Sequence, residues 1–158
     1  MVNEPRTLRE KVKMLIASGE IEAEIIDHSG GDALTSEDAA KTHGVPLTQI
    51  IKVLLFIDKN GSKAIAILQG NKRVDTKKIP GLRKPRIASA AEIAEILNTE
   101  PGGIAPVGLP PEIPKFIDKE VIQEKSVIGS GGDRYTGLKF DPRLIISQPN
   151  TQVLDLSE

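Results

Sequence analysis

Several residue types that build common active sites are absent or scarce in this sequence. There is no cysteine and no tryptophan, and only two histidines occur in 158 residues. Without cysteine, the chain has no disulfides, no thiolate metal site and no cysteine nucleophile, and two histidines are too few for a histidine metal cage. We therefore expect no metal site. The lack of cysteine also fits a cytoplasmic protein.

Long apolar runs are also missing. No segment approaches the roughly 20 apolar residues that a membrane helix requires, and the first residues, MVNEPRTLREKVKML, are charged and amphipathic. We expect a protein without a signal peptide and without a membrane partner. The length predicts one domain, residues 1–158, with an N-terminal helix within 1–19 packed on it.

Short strands outnumber helices in the remaining pattern. Helices are expected at 5–18, from Thr35 or Ser36 to His43, at 90–97 after a Ser89–Glu92 capping box, and in DPRLII. Strands are expected at 22–28, 50–58, 62–70, 115–118, 125–128, in LKF and in TQVLDL, with Asn60-Gly61 as a two-residue hairpin turn. The order predicts an α+β fold with a mixed sheet covered by a few helices.

A lysine interrupts one of the most apolar runs, IIKVLLFI at 50–57. Both faces of this strand carry apolar residues, and an unpaired ammonium on a buried face is costly. Lys52 could extend to water and guard an edge strand against aggregation. It could equally meet a negative ligand in a cleft.

Charge is unevenly distributed. The basic segment, residues 72–86, carries a net charge of +6 in a chain whose total is −1, through Lys72, Arg73, Lys77, Lys78, Arg83, Lys84 and Arg86 against Asp75. Such a patch can hold a phosphate backbone. It can also be an ordinary solvated surface.

Two glycine-containing loops are candidate binding elements. In GGIAPVG, at 102–108, the glycines allow unusual backbone angles and Pro106 stiffens a loop that can present N–H groups to a carbonyl oxygen. GSGG, at 129–132, can bring backbone N–H groups to a phosphate or carboxylate. Each loop can also be purely structural. No P-loop, dinucleotide fingerprint or Ser-His-Asp pattern is present, and we expect no cofactor.

The histidines give weaker signals. His28 adjoins a Gly-Gly loop and could line a site, although such a histidine is more often a surface or capping residue. His43, before Gly44 at a helix end, is better interpreted as a partner of the helix dipole.

The order of these features resembles one family. A helix ending in HGVPLTQIIK leads to Lys52, followed by Gly-x-x-x-Pro at Gly102–Pro106, then GSGG and Asp141-Pro142. This resembles the YbaK-type aminoacyl-tRNA deacylases, which include the editing insertion of bacterial prolyl-tRNA synthetases. The resemblance covers residues 20–156.

The resemblance implies a partly barrel-like sheet flanked by helices, and hydrolysis of the ester between a wrong amino acid and the terminal ribose of tRNA. It implies that the site comprises Lys52, which engages the tRNA 3′ end, and a pocket loop of backbone donors, Gly102, Gly103, Ile104, Ala105 and Pro106. In this family, the neighbouring ribose hydroxyl and a bound water complete the machinery. A second wall is expected from Gly129, Ser130, Gly131 and Gly132, with His28 nearby.

We thus expect a free-standing trans-editing enzyme acting on Ala-, Cys- or Ser-tRNA, with the basic segment on the acceptor stem and a synthetase as a further partner. The alternative is a non-catalytic module that binds tRNA or a synthetase. Two departures from the family bear on the preferred amino acid: Val53 stands where many relatives have Thr or Ser, and Gly137 lies near the position of an aspartate in bacterial YbaK proteins. With 3% aromatic residues, base stacking is expected to contribute little.

Overall fold

The computed structural model describes residues 6–27 and 36–158. Within these ranges the α-helices are α1 (Leu8–Ala17), α2 (Ser36–His43), α3 (Ala90–Leu97), α4 (Lys119–Ile122) and α5 (Arg143–Ile146). The strands are β1 (Glu24–Asp27), β2 (Ile51–Ile57), β3 (Lys63–Gln69), β4 (Arg86–Ile87), β5 (Lys115–Asp118), β6 (Val127–Ser130), β7 (Thr136–Phe140) and β8 (Thr151–Leu154). None of these helices has the length and apolar character needed to cross a bilayer.

The strands form two sheets that join at one point. One sheet has the order β1-β7-β6 and is antiparallel, and the other has the order β4-β2-β3-β5-β8. In the larger sheet β5 runs parallel to β3 and β8, whereas β2 is antiparallel to β3 and β4. A parallel bridge between Ile50 and Ile128 connects the sheets. The expected α+β fold with a mixed, partly barrel-like sheet is confirmed.

Local sequence signals account for several element ends. The Ser89–Glu92 capping box is present, since Glu92 N–H donates to Ser89 Oγ (3.2 Å) and Ser89 N–H donates to the Glu92 carboxylate (2.9 Å). The β2–β3 hairpin is also present, but its turn is longer than expected. Asp58 N–H donates to Ser62 O (2.9 Å) around a three-residue loop, with Gly61 in the left-handed region at φ 85°.

The alternation of β2 places its side chains in different apolar clusters. Ile51, Val53, Leu55 and Ile57 lie in the main core, which also receives Leu8 and Val12 of α1. On the opposite face, Ile50 belongs to a small cluster under α2, and Leu54 and Phe56 contact another cluster. Lys52 lies on this second face, between the two small clusters, and is half-buried.

A second lysine is buried far more deeply. Lys115 of β5 is 1% exposed, and its ammonium donates hydrogen bonds to the carbonyl oxygens of Pro110 (2.9 Å), Ile113 (2.9 Å) and Pro149 (3.1 Å). Three acceptors satisfy all three N–H groups of the ammonium. Lys115 therefore cross-links the proline-rich loop before β5 to the turn before β8.

Candidate functional site

The sites expected from the sequence converge on one cavity. A cavity of about 160 Å³, here called the Lys52 cavity, lies between α2, the first half of β2, and two loops. Its lining includes Lys52, Gly102 and Ile104 together with Gly129 and Ser130. The volume is smaller than the roughly 300–1,000 Å³ of pockets for drug-sized ligands. Residues far apart in the sequence are thus brought together around a space suited to a small group.

The cavity lies where the barrel is incomplete. On the side away from β3, the strand pairings found for β2 in the described chain involve only β4, at Phe56 and Ile57, and the single bridge from Ile50. The lining residues of β2, Ile51 to Leu54, occupy the gap between these two points. Lys52 is therefore not a plain edge residue but lies beside an opening between two sheets.

The electrostatics of Lys52 reflect this position. Burial lowers the pKa of its ammonium below 10.5, and the nearby Arg73 lowers it further, while Glu37 acts in the opposite direction. The proximity of two cations disfavours the protonated form of lysine but strengthens the local attraction for an anion. Arg73 thus extends the positive charge of the cavity towards the basic segment.

The Gly-x-x-x-Pro loop, residues 102–106, is held by a tight turn. Gly102 has φ 81°, and Gly103 N–H donates to Glu100 O (2.8 Å). A Cβ on Gly103 would lie 2.6 Å from Thr99 Oγ1 and 3.0 Å from the Asp133 Cα. The N–H of Gly103 is therefore engaged within the turn, and this residue is required for close packing rather than as a donor to a ligand.

The next two backbone N–H groups have no such partner. Ile104 is 5% exposed and Ala105 fully buried, and among the described residues no hydrogen-bond acceptor is found for the N–H group of either. Buried backbone donors are nearly always paired in folded proteins. Ile104 lines the Lys52 cavity, and Ala105 follows it in the loop without being part of the lining. These two N–H groups are therefore the candidate donors to a bound carbonyl oxygen.

The glycine-rich loop, residues 129–132, is a loop only in part, because Gly129 and Ser130 are the last two residues of β6. It forms the second wall of the cavity. Gly129 lies so close to β2 that a Cβ would meet Ile51 Cγ1 at 3.0 Å and Pro106 Cδ at 3.6 Å. Ser130 Oγ donates to Asp133 O (2.8 Å) and accepts from Gly132 N–H (3.1 Å). Gly129 and Ser130 line the cavity, whereas Gly131 and Gly132 are buried in the turn behind it.

Helix α1 and Thr99 hold the two loops together. Thr99 Oγ1 lies 3.0 Å from Gly103 O and 2.9 Å from Gly132 O, within hydrogen-bond distance of both carbonyl groups. Gly132, at φ 109°, packs against the start of α1, where a Cβ would lie 2.5 Å from the Arg9 Cα. The cavity walls are thus positioned by packing that leaves no room for larger side chains.

Two residues of the basic segment, Lys78 and Arg86, form hydrogen bonds and ion pairs within the described chain. Lys78 donates to Ser157 O (2.7 Å) and lies 3.4 Å from the Asp155 carboxylate, and Arg86 pairs with Glu92 at 2.7 Å. The side chains of Arg73, Lys77, Arg83 and Lys84 are exposed, and Lys72 is half-buried. Lys78 and Arg86 are exposed as well, so their ion pairs lie at the surface, and the assignment of Lys72, Arg73, Lys77, Lys78, Arg83 and Lys84 to tRNA binding stays a prediction.

Several residues that the sequence did not assign to the site also line the cavity, among them His43, Asp133 and Arg134. His43 ends α2, as expected for a dipole partner, but it also faces the cavity. Asp133 and Arg134 directly follow GSGG, and this adjacency to a candidate binding loop is the sequence signal that could have identified them. His28 lies outside the described residues.

Comparison with known proteins decides the family. The model of the aminoacyl-tRNA editing domain matches residues 31–145, a range that includes Lys52 and both glycine-containing loops. The chain belongs to the aminoacyl-tRNA editing domain family. This confirms the resemblance noted from the sequence, and with it the enzyme class, aminoacyl-tRNA deacylase. Helix α1 lies outside the matched range.

Relatives within the editing family are both free-standing and part of larger enzymes. EbsC of Enterococcus faecalis, a candidate Cys-tRNA(Pro)/Cys-tRNA(Cys) deacylase, is 25% identical over 129 residues, which are 80% of this chain and 79% of EbsC. A proline–tRNA ligase of Streptococcus suis is 30% identical over 123 residues, which are 74% of this chain but 20% of the ligase.

Solved structures show the same fold. The crystal structure of a hypothetical protein, APE2540, superposes with a TM-score of 0.83 at 29% identity and covers 94% of this chain and 99% of its own. A candidate trans-editing enzyme for prolyl tRNA synthetase also superposes with a TM-score of 0.83, at 24% identity, over 98% of this chain and 99% of its own. The editing-domain fold is therefore found in proteins of similar length to this chain.

Proposed function

We propose that this chain is a free-standing trans-editing deacylase that hydrolyses mischarged Ala-, Cys- or Ser-tRNA in the Lys52 cavity. The observation that carries the proposal is the convergence of Lys52, the Gly-x-x-x-Pro loop and the glycine-rich loop on one small cavity. The similarity to EbsC, which spans most of both chains, supports action as a separate protein. We propose that this action takes place in the cytoplasm.

In this proposal the loop binds the carbonyl group of the aminoacyl ester. The N–H groups of Ile104 and Ala105 donate to the oxygen that becomes negative when water attacks the carbonyl carbon. Each donor of this kind contributes about 3–4 kcal/mol to transition-state stabilisation. When the tetrahedral intermediate collapses, the bond to the ribose oxygen breaks, that oxygen takes a proton, and the free amino acid leaves.

Lys52 binds the tRNA 3′ end and thereby fixes the ester. Its ammonium, reinforced by Arg73, attracts the phosphate of the terminal nucleotide. The attacking water is oriented by the neighbouring ribose hydroxyl, as the family resemblance implies. No strong side-chain base is required, because the ester is already activated and the loop stabilises the developing charge.

The size of the cavity supports small amino acids as substrates. One methylene group contributes only about 1–3 kcal/mol to the discrimination between two amino acids. The aminoacylation site of a synthetase therefore accepts smaller or isosteric amino acids at a measurable rate. The Lys52 cavity, with a volume of about 160 Å³, has room for side chains as small as those of alanine, cysteine and serine. We propose that the basic segment contacts the acceptor stem of the tRNA and that the enzyme acts beside a prolyl-tRNA synthetase.

Release of labelled amino acid from Ala-, Cys- and Ser-tRNA tests the function. Wild type is compared with Lys52→Ala and with Lys139→Ala, which removes an exposed lysine of β7 outside the cavity lining. We expect wild type and Lys139→Ala to release at least one of the amino acids and Lys52→Ala to be much slower. If wild type binds tRNA and releases none, the chain is a non-catalytic binding module instead.

A further inference from the structure

One aromatic side chain is exposed next to the Lys52 cavity. The chain has one tyrosine, three phenylalanines and no tryptophan. Phe56, Phe116 and Phe140 are between 2% and 6% exposed, whereas Tyr135 is 49% exposed. Tyr135 is therefore the only one of these rings at the surface. The residues on both sides of it, Arg134 and Thr136, line the cavity.

The backbone that carries this ring is fixed. Asp133 Oδ1 accepts hydrogen bonds from Tyr135 N–H (2.8 Å) and from Thr136 Oγ1 (2.8 Å), and Asp133 Oδ2 lies 3.7 Å from Arg9 Nε of α1. A ring on a backbone held in this way loses little conformational entropy when a ligand binds. Tyr135 is thus presented at the cavity rim rather than on a freely moving loop.

The ring is also oriented by a guanidinium group. The Arg134 Cζ lies 5.4 Å from the centre of the Tyr135 ring, and Arg134 Nη2 is 3.4 Å from the Tyr135 hydroxyl oxygen. Arg134 Nε lies 3.6 Å from the Glu100 carboxylate, which connects the pair to the turn before the Gly-x-x-x-Pro loop. Tyrosine rings and guanidinium planes are the groups on which proteins stack unpaired bases.

We propose that Tyr135, oriented by Arg134, stacks on the terminal nucleobase of the tRNA 3′ end while the attached amino acid occupies the Lys52 cavity. This inference rests on the proposed function, since the aminoacyl ester and the base belong to the same nucleotide. It also revises the expectation that stacking contributes little: the aromatic content is low, but the one exposed ring lies at the site.

The test uses tRNA that carries 2-aminopurine at the 3′-terminal position, whose fluorescence is quenched by stacking. It compares wild type, Tyr135→Phe, Tyr135→Leu and a control, Val153→Ala. Val153 is 38% exposed on β8, which is separated from β2 by two strands. Wild type, Tyr135→Phe and Val153→Ala should quench the probe, and Tyr135→Leu should not. Affinity for tRNA should fall roughly 5- to 150-fold in Tyr135→Leu.

The intrinsic tyrosine fluorescence gives a second signal, since it comes from this ring alone. Thermal unfolding of each variant tests whether the fold is retained, which we expect because position 135 is exposed. The inference is overturned if Tyr135→Leu quenches the probe and binds tRNA as wild type does.

Deacylation separates this inference from the proposed function. If wild type is active and Tyr135→Leu has the same KM, stacking is wrong and the enzyme claim stands. If wild type releases no amino acid but quenches the probe through Tyr135, stacking is supported and the enzyme claim fails.

Discussion

Replacing Lys52 by methionine should make the protein more stable and less active. Lys52 is half-buried between two small apolar clusters, and burial and Arg73 both lower the pKa of its ammonium. The positive charge of Lys52 therefore lowers the free energy of unfolding. Methionine keeps the packing of the aliphatic stem and removes the charge. Replacements that relieve such strain at functional sites commonly raise the free energy of unfolding by about 0.5–2 kcal/mol.

The effect on stability should depend on pH in a defined direction. Because the folded-state pKa of Lys52 lies below 10.5, the unfolded chain binds more protons between the two values, and wild-type stability from this group rises with pH in that window. The advantage of Lys52→Met should then be largest at neutral pH and should shrink as the pH approaches 10.5.

The activity of Lys52→Met should decrease, whereas its stability increases. Loss of one hydrogen bond to a charged group costs about 1.5–3 kcal/mol, which corresponds to a roughly 10- to 150-fold decrease in kcat/KM. Lys52→Arg keeps the positive charge and should lose less. Urea unfolding at several pH values and deacylation of mischarged tRNA measure the two effects. The reasoning is refuted if Lys52→Met is less stable than wild type at neutral pH, or if it deacylates mischarged tRNA as fast as wild type does.

Three further changes test other parts of the structure. Lys115→Met leaves three carbonyl groups without their donor and should lower the free energy of unfolding by about 2–5 kcal/mol in urea titrations; unchanged stability would show that the ammonium is not needed. Gly103→Ala should cost about 1–3 kcal/mol through overpacking and should slow deacylation, and a variant with wild-type stability and rate would contradict the packing described. The double change Lys77→Glu and Lys84→Glu should weaken tRNA binding. The slope of log affinity against log salt concentration should fall by roughly one for each phosphate that the protein no longer neutralises. An unchanged slope would show that these residues are not part of the interface.

Much of the fold could be predicted because local patterns and tertiary structure agree. The apolar alternation of β2 and β3, the capping box at Ser89 and the stop at Gly44 each specify an element without reference to distant residues. The two-residue β4 and the four-residue α4 carry no periodic pattern of their own. Strand β4 forms because β2 offers an edge at Phe56, and α4 because Asp118 caps it. Such elements depend on tertiary context.

The candidate site could be predicted from the sequence where motifs mark its residues, and not where it depends on contacts between residues that are distant in the sequence. Lys52 was marked by its apolar neighbours, and the loop ending at Pro106 by its glycines. The engagement of Gly103 N–H by Glu100, and of Lys78 by Asp155, depends on geometry that charge and composition do not encode. The buried Lys115 was missed for the same reason, since its three acceptors are carbonyl groups, which every residue has.

The most direct test of the central claim is an NMR titration of the amide groups of Ile104 and Ala105 with a non-hydrolysable analogue of aminoacyl-tRNA in which an amide replaces the ester. Both N–H groups should donate to the analogue's carbonyl oxygen, so that their proton resonances move downfield on binding and become protected from exchange with solvent. If the analogue binds and these two amides are unaffected while others shift, the Lys52 cavity is not the site at which the ester is held.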